Sequence, residues 1–310
     1  MFTLVQLSDP HLGPLPAVHW HQLVSKRAFG YVNWHRSRRA ALGPRNLRHL
    51  VEDVLAAPHD HIAVTGDLIN IGLRAEIDTA RLWLDSLGDP EDVTAIPGNH
   101  DAYLPGAIRH FEHAWRPYMV GDDRGAAPVA FPFTRRRGPV AIVGVSTAIA
   151  TAPLMATGRI DQPQADRLEA ELAELADEGL FRVVLIHHPP VAGSTPWHRR
   201  LIGADRFRKA IAKSGAELVL HGHNHQTMVN HIAGPAGPVP VVGAASASLS
   251  PHHGRSGGSY LVFRIARTEG SFTCDMEERG PRVSHGKIES LRNQRLAGPE
   301  GQPAGTRIQA

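Results

Sequence analysis

Five short polar clusters lie in order along the chain, each where an apolar run ends: Asp9-Pro10-His11, Gly66-Asp67, Gly98-Asn99-His100-Asp101, His187-His188-Pro189 and Gly222-His223-Asn224-His225. They offer carboxylates, an amide oxygen and imidazoles, a donor set that suits divalent manganese, iron or zinc better than calcium. Two such ions about 3.5–4 Å apart can share a water, deprotonate it near neutral pH and neutralise a phosphoryl group under in-line attack. Hydrolysis of a phosphate ester is the chemistry these residue types would do together. Singly, each cluster has a plainer reading, since Gly-Asp is common in turns and polar loop residues satisfy local backbone groups. Five in one order, each at a strand end, are a different matter.

Such residues cooperate only if the fold gathers them. Phe2–Leu7 ends at Ser8-Asp9, 61–65 at Gly66-Asp67, 93–96 at Pro97-Gly98-Asn99, 182–186 at His187, and 217–220 at His221-Gly222-His223. These runs are short and rich in β-branched residues, and they read as buried strands. Helical patterns fall between them, over 44–57, 73–87, 104–115, 162–177 and 205–214; in 162–177, Leu168, Leu172 and Leu175 recur at helical spacing opposite acidic residues. Strand–helix alternation predicts crossover units on a largely parallel sheet, with ligands bound outside the carboxyl ends of the strands. Later runs, 227–232, 239–243, 259–265 and 271–276, predict antiparallel pairing. The expected fold class is α/β, a four-layer α/β/β/α sandwich of two mixed sheets with flanking helices over residues 1–288. The stretch 289–310, rich in Gly, Pro, Gln and Arg, is expected to be a disordered tail.

The motif order D-x-H, G-D, G-N-H-[DE], a lone His after a strand, then G-H-x-H resembles the calcineurin-like metallophosphoesterase superfamily over residues 2–265. Gly158-Arg159-Ile160-Asp161-Gln162 leading into a helix, followed by His187-His188-Pro189-Pro190, looks most like its bacterial branch of cyclic-nucleotide (class III) phosphodiesterases. The resemblance implies two divalent metal ions. One would take Asp9, His11 and His225, the other Asn99, His187 and His223, and Asp67 would bridge them. By the same carry-over His100 would face the substrate and hold or protonate the leaving oxygen. Family usage favours the histidine two residues before a proline, His187 rather than His188. His188 and His221 are then expected to pack or hydrogen-bond, and Asp101 and Asn70 to orient ligands.

From Pro10 to Val51 there is no Asp or Glu. The same window holds Lys26, Arg27, Arg36, Arg38, Arg39, Arg45 and Arg48, interleaved with Trp20, Phe29, Tyr31 and Trp34. Because it opens directly after the first cluster, the insert 14–45 is expected to overhang the site. Trp20, Leu23, Val24, Tyr31 and Trp34 would share a helical face, with Gly30 weakening a continuous helix. Three readings stay open. The insert is a lid with its charges in water; or a clamp in which Arg27, Tyr31 and Trp34 meet the substrate, cations on phosphate and aromatics on a base; or a membrane-surface element with basic residues on anionic lipid. Arg135-Arg136-Arg137 reads as a solvated loop.

Composition bounds the rest. A chain of 310 residues, 42% hydrophobic and 20% charged, is ordinary for a globular protein and long enough for one large α/β domain or two small ones. A net charge of +3, with its basic excess confined to one insert, gives little surface for a duplex backbone, so no specific nucleic acid is expected. Cys274 stands alone, which excludes an intrachain disulfide and fits a reducing cytoplasm. Phe2–Leu7 has no basic flank of a signal peptide, and no apolar stretch reaches membrane-spanning length. The expected location is cytoplasmic, with peripheral contact of 14–45 at the inner membrane face. The expected function is a dinuclear metal-dependent phosphoesterase on a small or lipid-like phosphodiester or phosphomonoester, similar to cyclic-nucleotide phosphodiesterases. One alternative is a pyrophosphatase on a lipid-linked nucleotide sugar, resembling UDP-2,3-diacylglucosamine hydrolase, although those enzymes commonly carry Arg at the position of His100. Another is a non-catalytic scaffold, which would lose ligands where none is missing here.

Overall fold

The apolar runs form the middles of two six-stranded sheets in the computed structural model, which describes residues 1–123, 128–251, 257–268, 270–282 and 287–298. One sheet holds, in order, β14 (Ile288–Ala297), β13 (Ser271–Pro281), β12 (Tyr260–Thr268), β1 (Phe2–Leu7), β2 (His61–Val64) and β3 (Val93–Ala95). The other holds β10 (Met228–Ile232), β11 (Val239–Gly243), β9 (Leu218–His221), β7 (Phe181–Leu185), β5 (Val140–Gly144) and β4 (Phe133–Arg137). A small parallel ribbon pairs β6 (Gly158–Arg159) with β8 (Leu201–Ile202). Strands β1, β2 and β3 run parallel, as do β5, β7, β9 and β11, and antiparallel strands extend both sheets.

Burial on both faces explains why the parallel strands are apolar without alternation. On β7, Val183 and Leu185 join a core with Leu4, Leu7, Ile62, Leu218 and Leu220. Val184 and, just past the strand, Ile186 pack the other way against Leu168, Leu172, Phe207 and Ile211 of helices Gln162–Asp177 and Ala204–Ser214. Leu47, Leu50 and Val54 of helix Pro44–Ala56, with Ile77, Ala80 and Leu84 of helix Arg74–Leu87, complete the first core. The architecture is the expected α/β/β/α sandwich of two mixed sheets.

Three features differ from the sequence reading. The arginine run is not a solvated loop but strand β4. Arg135 is 1% exposed, and its guanidinium donates to the carbonyls of Val120, Val93 and Pro117 at 2.7, 2.7 and 2.6 Å. Strand alternation turns Arg136 outward to Glu178 instead. Next, the stretch read as a tail from residue 289 begins inside β14, which pairs with β13 along Pro281↔Ile288 to Cys274↔Ala297. An edge strand needs backbone pairing more than side-chain burial, so its polar composition hid it; residues 299–310 lie outside the described residues. Finally, the insert does not present one apolar face. Trp34 is buried while Trp20 and Val24 are 79% and 76% exposed, because a 3-10 turn over Trp20–Leu23 ends before helix Arg27–Asn33 begins. Gly30 does not break that helix: a Cβ there would collide with Tyr103 and Ile71, so the glycine lets the insert pack closely.

His61 at the head of β2 is fully buried, with Nε2 2.7 Å from the Thr94 hydroxyl. Burial, aided by the charges of Arg135 and Arg137, pushes its pKa down to about 3. The unfolded imidazole titrates near 6.5, so it takes up a proton that the fold refuses until about pH 3. This residue's contribution is therefore complete above about pH 6.5 and declines as pH falls below it. Urea denaturation is expected to show His61→Leu losing less stability than wild type between pH 7 and 5, by up to about 2 kcal/mol; parallel curves would contradict this.

Candidate metal centre

Each candidate ligand follows the carboxyl end of a parallel strand, β1, β2, β3, β7 or β9. The turns there are sharp. Six described non-glycine residues have positive φ, and five of them are Asp9 (49°), His11 (39°), Asp67 (56°), His223 (68°) and His225 (56°). Such backbone costs about 1–3 kcal/mol per residue and persists where its surroundings over-determine it. Glycines give the loops room: a Cβ on Gly98 would collide with the Asp67 carboxylate, and one on Gly222 with Asp9.

The structure brings all seven predicted ligands together in two adjoining sets. Asp9, His11, Asp67 and His225 offer atoms within 4.8 Å of one another. His225 Nε2 lies 3.1 Å from Asp9 Oδ1 and 3.2 Å from His11 Nε2, which is 3.8 Å from Asp67 Oδ2. That same Oδ2 is 3.4 Å from His187 Nε2. His187 Nε2 and His223 Nδ1 in turn face Asn99 Oδ1 at 3.3 and 2.9 Å. Asp67 stands between the two sets.

The surrounding hydrogen bonds aim these groups. A carbonyl only accepts, so each imidazole nitrogen beside one must donate. His11 Nδ1 donates to Ile69 O (3.2 Å), His187 Nδ1 to Thr65 O (2.7 Å) and His223 Nε2 to Arg199 O (3.0 Å). The other nitrogen of His11 and of His223 then presents a lone pair inward, and that of His187 meets the Asp67 carboxylate, an arrangement that orients metal-binding histidines. His188 groups with His187 and His223 by distance, but neither of its nitrogens is spare: Thr147 donates to Nδ1 at 2.7 Å and Nε2 donates to Ala156 O at 3.2 Å. Geometry therefore favours Asn99, not His188, as the partner of His187 and His223. His221, likewise, turns Nδ1 toward Gly222 O at 2.9 Å.

Asp101 staples the loops. Its carboxylate accepts from the backbone N–H groups of Asp67, Leu68, Ile69 and Gly98 at 2.9, 2.9, 3.1 and 2.7 Å. Burial and the nearby Asp67 charge push its pKa up to about 8, against the pull of those N–H groups. Asn70 Nδ2 donates to Leu12 O at 2.8 Å, tying the Asp67 loop to the start of the insert. Asp9 is fixed by the Ser8 hydroxyl at 2.6 Å and the His223 N–H at 3.0 Å.

Burial holds the imidazoles of His11 and His223 well below their usual pKa, in the neutral form that ligates metals. Burial works the same way on His187, but Asp67 overcomes it and raises that pKa to about 9. Two buried carboxylates, an amide oxygen and inward-facing imidazole nitrogens are a donor set that fits two divalent cations.

His100 borders this centre. Its ring lies 4.9 Å from that of His11, and Nδ1 donates to Asn70 O at 2.6 Å. Nε2 accepts from Arg38 Nη2 at 2.8 Å. Burial and the Arg38 charge push the His100 pKa down to about 3. Arg38 reaches the site from a π-helical turn, Trp34–Arg38, the rare geometry often found at functional sites. Nothing in the sequence separated it from Arg36 and Arg39, because helix register at a π turn is not legible from spacing.

The three substrate candidates of the insert sit elsewhere. Arg27 Nε donates to Ile71 O at 3.0 Å and its Nη2 to Gly72 O, so its guanidinium anchors the insert to the wall. Tyr31 stands against the His35 ring at 4.5 Å. Trp34 packs so tightly that a Cβ on Gly13 would come within 2.8 Å of it. Lys26 fastens the opposite side, donating to the Thr151 hydroxyl at 2.8 Å.

Residues 2–227 match the model of the calcineurin-like phosphoesterases. The chain belongs to that family. A Synechococcus protein named as a probable cyclic nucleotide phosphodiesterase is 27% identical over 183 residues, 55% of this chain and 59% of that relative. Among solved structures, a dimetal phosphatase from Danio rerio superposes with a TM-score of 0.57 at 14% identity, over 94% of this chain and 98% of that one. A purple acid phosphatase from yellow lupin gives 0.57 at 12% identity, over 93% and 52%. These two likenesses establish the fold.

Removing the staple tests this arrangement. Asp101→Ala leaves four buried N–H groups without their acceptor, at about 1–3 kcal/mol each where unmet. The variant is expected to lose melting temperature and bound metal together. A folded Asp101→Ala protein with wild-type metal content would contradict the stapling role.

Proposed function

We propose that this protein is a dinuclear phosphodiesterase acting on a small phosphodiester of the cyclic-nucleotide kind. One observation carries the reading: Asp67 Oδ2 lies 3.8 Å from His11 Nε2 of one ligand set and 3.4 Å from His187 Nε2 of the other. Asp9, His11 and His225 would hold one ion, Asn99, His187 and His223 the other, and Asp67 both. Ions so held would activate a water near neutral pH and neutralise the phosphoryl oxygens. Asp101 and the backbone carbonyls keep the ligands from turning, and His100 borders the centre, where a proton gained at Nε2 would let it hold the leaving oxygen. The Synechococcus relative supports the cyclic diester as substrate. Purified protein with manganese is expected to hydrolyse bis-p-nitrophenyl phosphate and then 3′,5′-cyclic nucleotides. Asp67→Ala is expected to lower the rate at least about 10²-fold. No turnover of any diester by protein with two bound metals would contradict the reading.

A second reading rests on a different observation. Trp20, Val24, Phe29 and Val32 of the acid-free insert are exposed, with Leu154 and Trp197 82% and 67% exposed on the loops beyond Lys26 and beside Arg199. Aromatic and aliphatic side chains among basic ones suit the surface of anionic lipid, which would bring a lipid-linked phosphoester to the centre. No helix among the described residues is long and apolar enough to cross a membrane. Under this reading the protein sediments with phosphatidylglycerol vesicles, and Trp20→Ser with Phe29→Ser abolishes sedimentation. Sedimentation equal in wild type and variant would exclude the insert as the contact.

A further inference from the structure

Among the basic residues of the insert, Arg38 has an unusual setting. Lys26 and Arg27 spend their donors on the walls of the cleft, and Arg36 and Arg39 face solvent. Arg38 is drawn inward, its guanidinium hydrogen-bonded to His100 alone among the described residues. A guanidinium carries five N–H donors and no acceptor, so most of this fork is unspent. Burial lowers its pKa, opposed by the charges of Asp67, Tyr103 and Asp9, yet no described carboxylate pairs with it directly. In the proposed centre Asp9 and Asp67 give their oxygens to metal. They are then not available to Arg38.

Another cation points the same way. Arg199, on the short 3-10 turn Trp197–Arg199, donates to His223 O at 2.7 Å, and its charge is felt by Arg38. Two guanidiniums brought from separate segments toward one buried site repel each other unless an anion lies between them. Planar forks of this kind match the oxygens of phosphate bidentately.

We propose that Arg38 is a substrate-contacting residue, delivered by the insert, that clamps a non-bridging oxygen of the phosphoryl group with Arg199 as its electrostatic partner. The inference rests on reading the site as a phosphoester-hydrolysing centre. Without an anion, Arg38 rests on His100. Moving to the phosphoryl oxygen, it gives up its hydrogen bond to His100 Nε2. The insert then contributes to the reaction through a guanidinium aimed by the π turn behind buried Trp34, while its exposed residues remain outside the chemistry.

Calorimetric titration of inorganic phosphate into the full-length protein, with and without manganese, tests this. Arg38→Gln is expected to weaken phosphate binding about tenfold or more, with metal content and melting temperature at wild-type values. Arg38→Lys, a point charge without the fork, is expected to recover part of the loss, and Arg36→Gln to bind as wild type. Wild-type phosphate affinity in folded Arg38→Gln overturns the inference, as does a wild-type protein that binds no phosphate in either form. Loss of metal together with phosphate also overturns it, because Arg38 would then support the ligand shell. If wild type takes up no metal while Arg38→Gln still weakens phosphate, the proposed function falls and the anion clamp stands.

Discussion

Two carboxylates, Asp9 and Asp67, lie out of water within reach of imidazole nitrogens, and much of the molecule is arranged around that constraint. A buried charge is costly unless paired and hydrogen-bonded. Here the pairing is partial by construction. The imidazoles of His11 and His223 are kept neutral by burial, and their outer nitrogens are already committed to Ile69 and Arg199 carbonyls. What remains inward is a ring of acceptors, a poor hydrophobic core and a good cation site.

Holding that ring has structural consequences. Left-handed backbone at five of the candidate ligands opposes the local preferences of L-residues, so rigid neighbours must impose it. The parallel strands, covered by side chains on both faces, supply the rigidity. The Asp101 carboxylate then binds the β2 and β3 loops as one unit, and the Gln6–Thr65–Ser8–Asp9 chain of hydrogen bonds does the same for β1 and β2. Small residues at Gly98 and Gly222 let these loops touch. Fold and site are coupled through the strand ends.

That coupling explains what could be read from the sequence. Strands such as Phe2–Leu7 and Phe181–Leu185 announce themselves because burial on both faces demands unbroken apolarity, and the polar residues that follow them are the candidate ligands. Less visible were elements held by backbone pairing at an edge. β14 carries Arg292, Asn293 and Arg295, and β4 hides a buried arginine whose role is to satisfy loop carbonyls. The insert was legible as basic and aromatic but not in detail. Whether an arginine anchors a wall, as Arg27 does, or points into the centre, as Arg38 does, depends on a break near Val24 and on the π turn at Trp34. His187 and His188 differ in the same way: only the partners of the second ring show that it is already spoken for.

The central claim is that one chain holds two ions that share Asp67. Anomalous diffraction from crystals grown with manganese tests it most directly. The account predicts two peaks per chain on either side of the Asp67 carboxylate, one within bonding distance of Asp9, His11 and His225, the other of Asn99, His187 and His223. A single peak, or a second ion bound through His188 in place of Asn99, would contradict it.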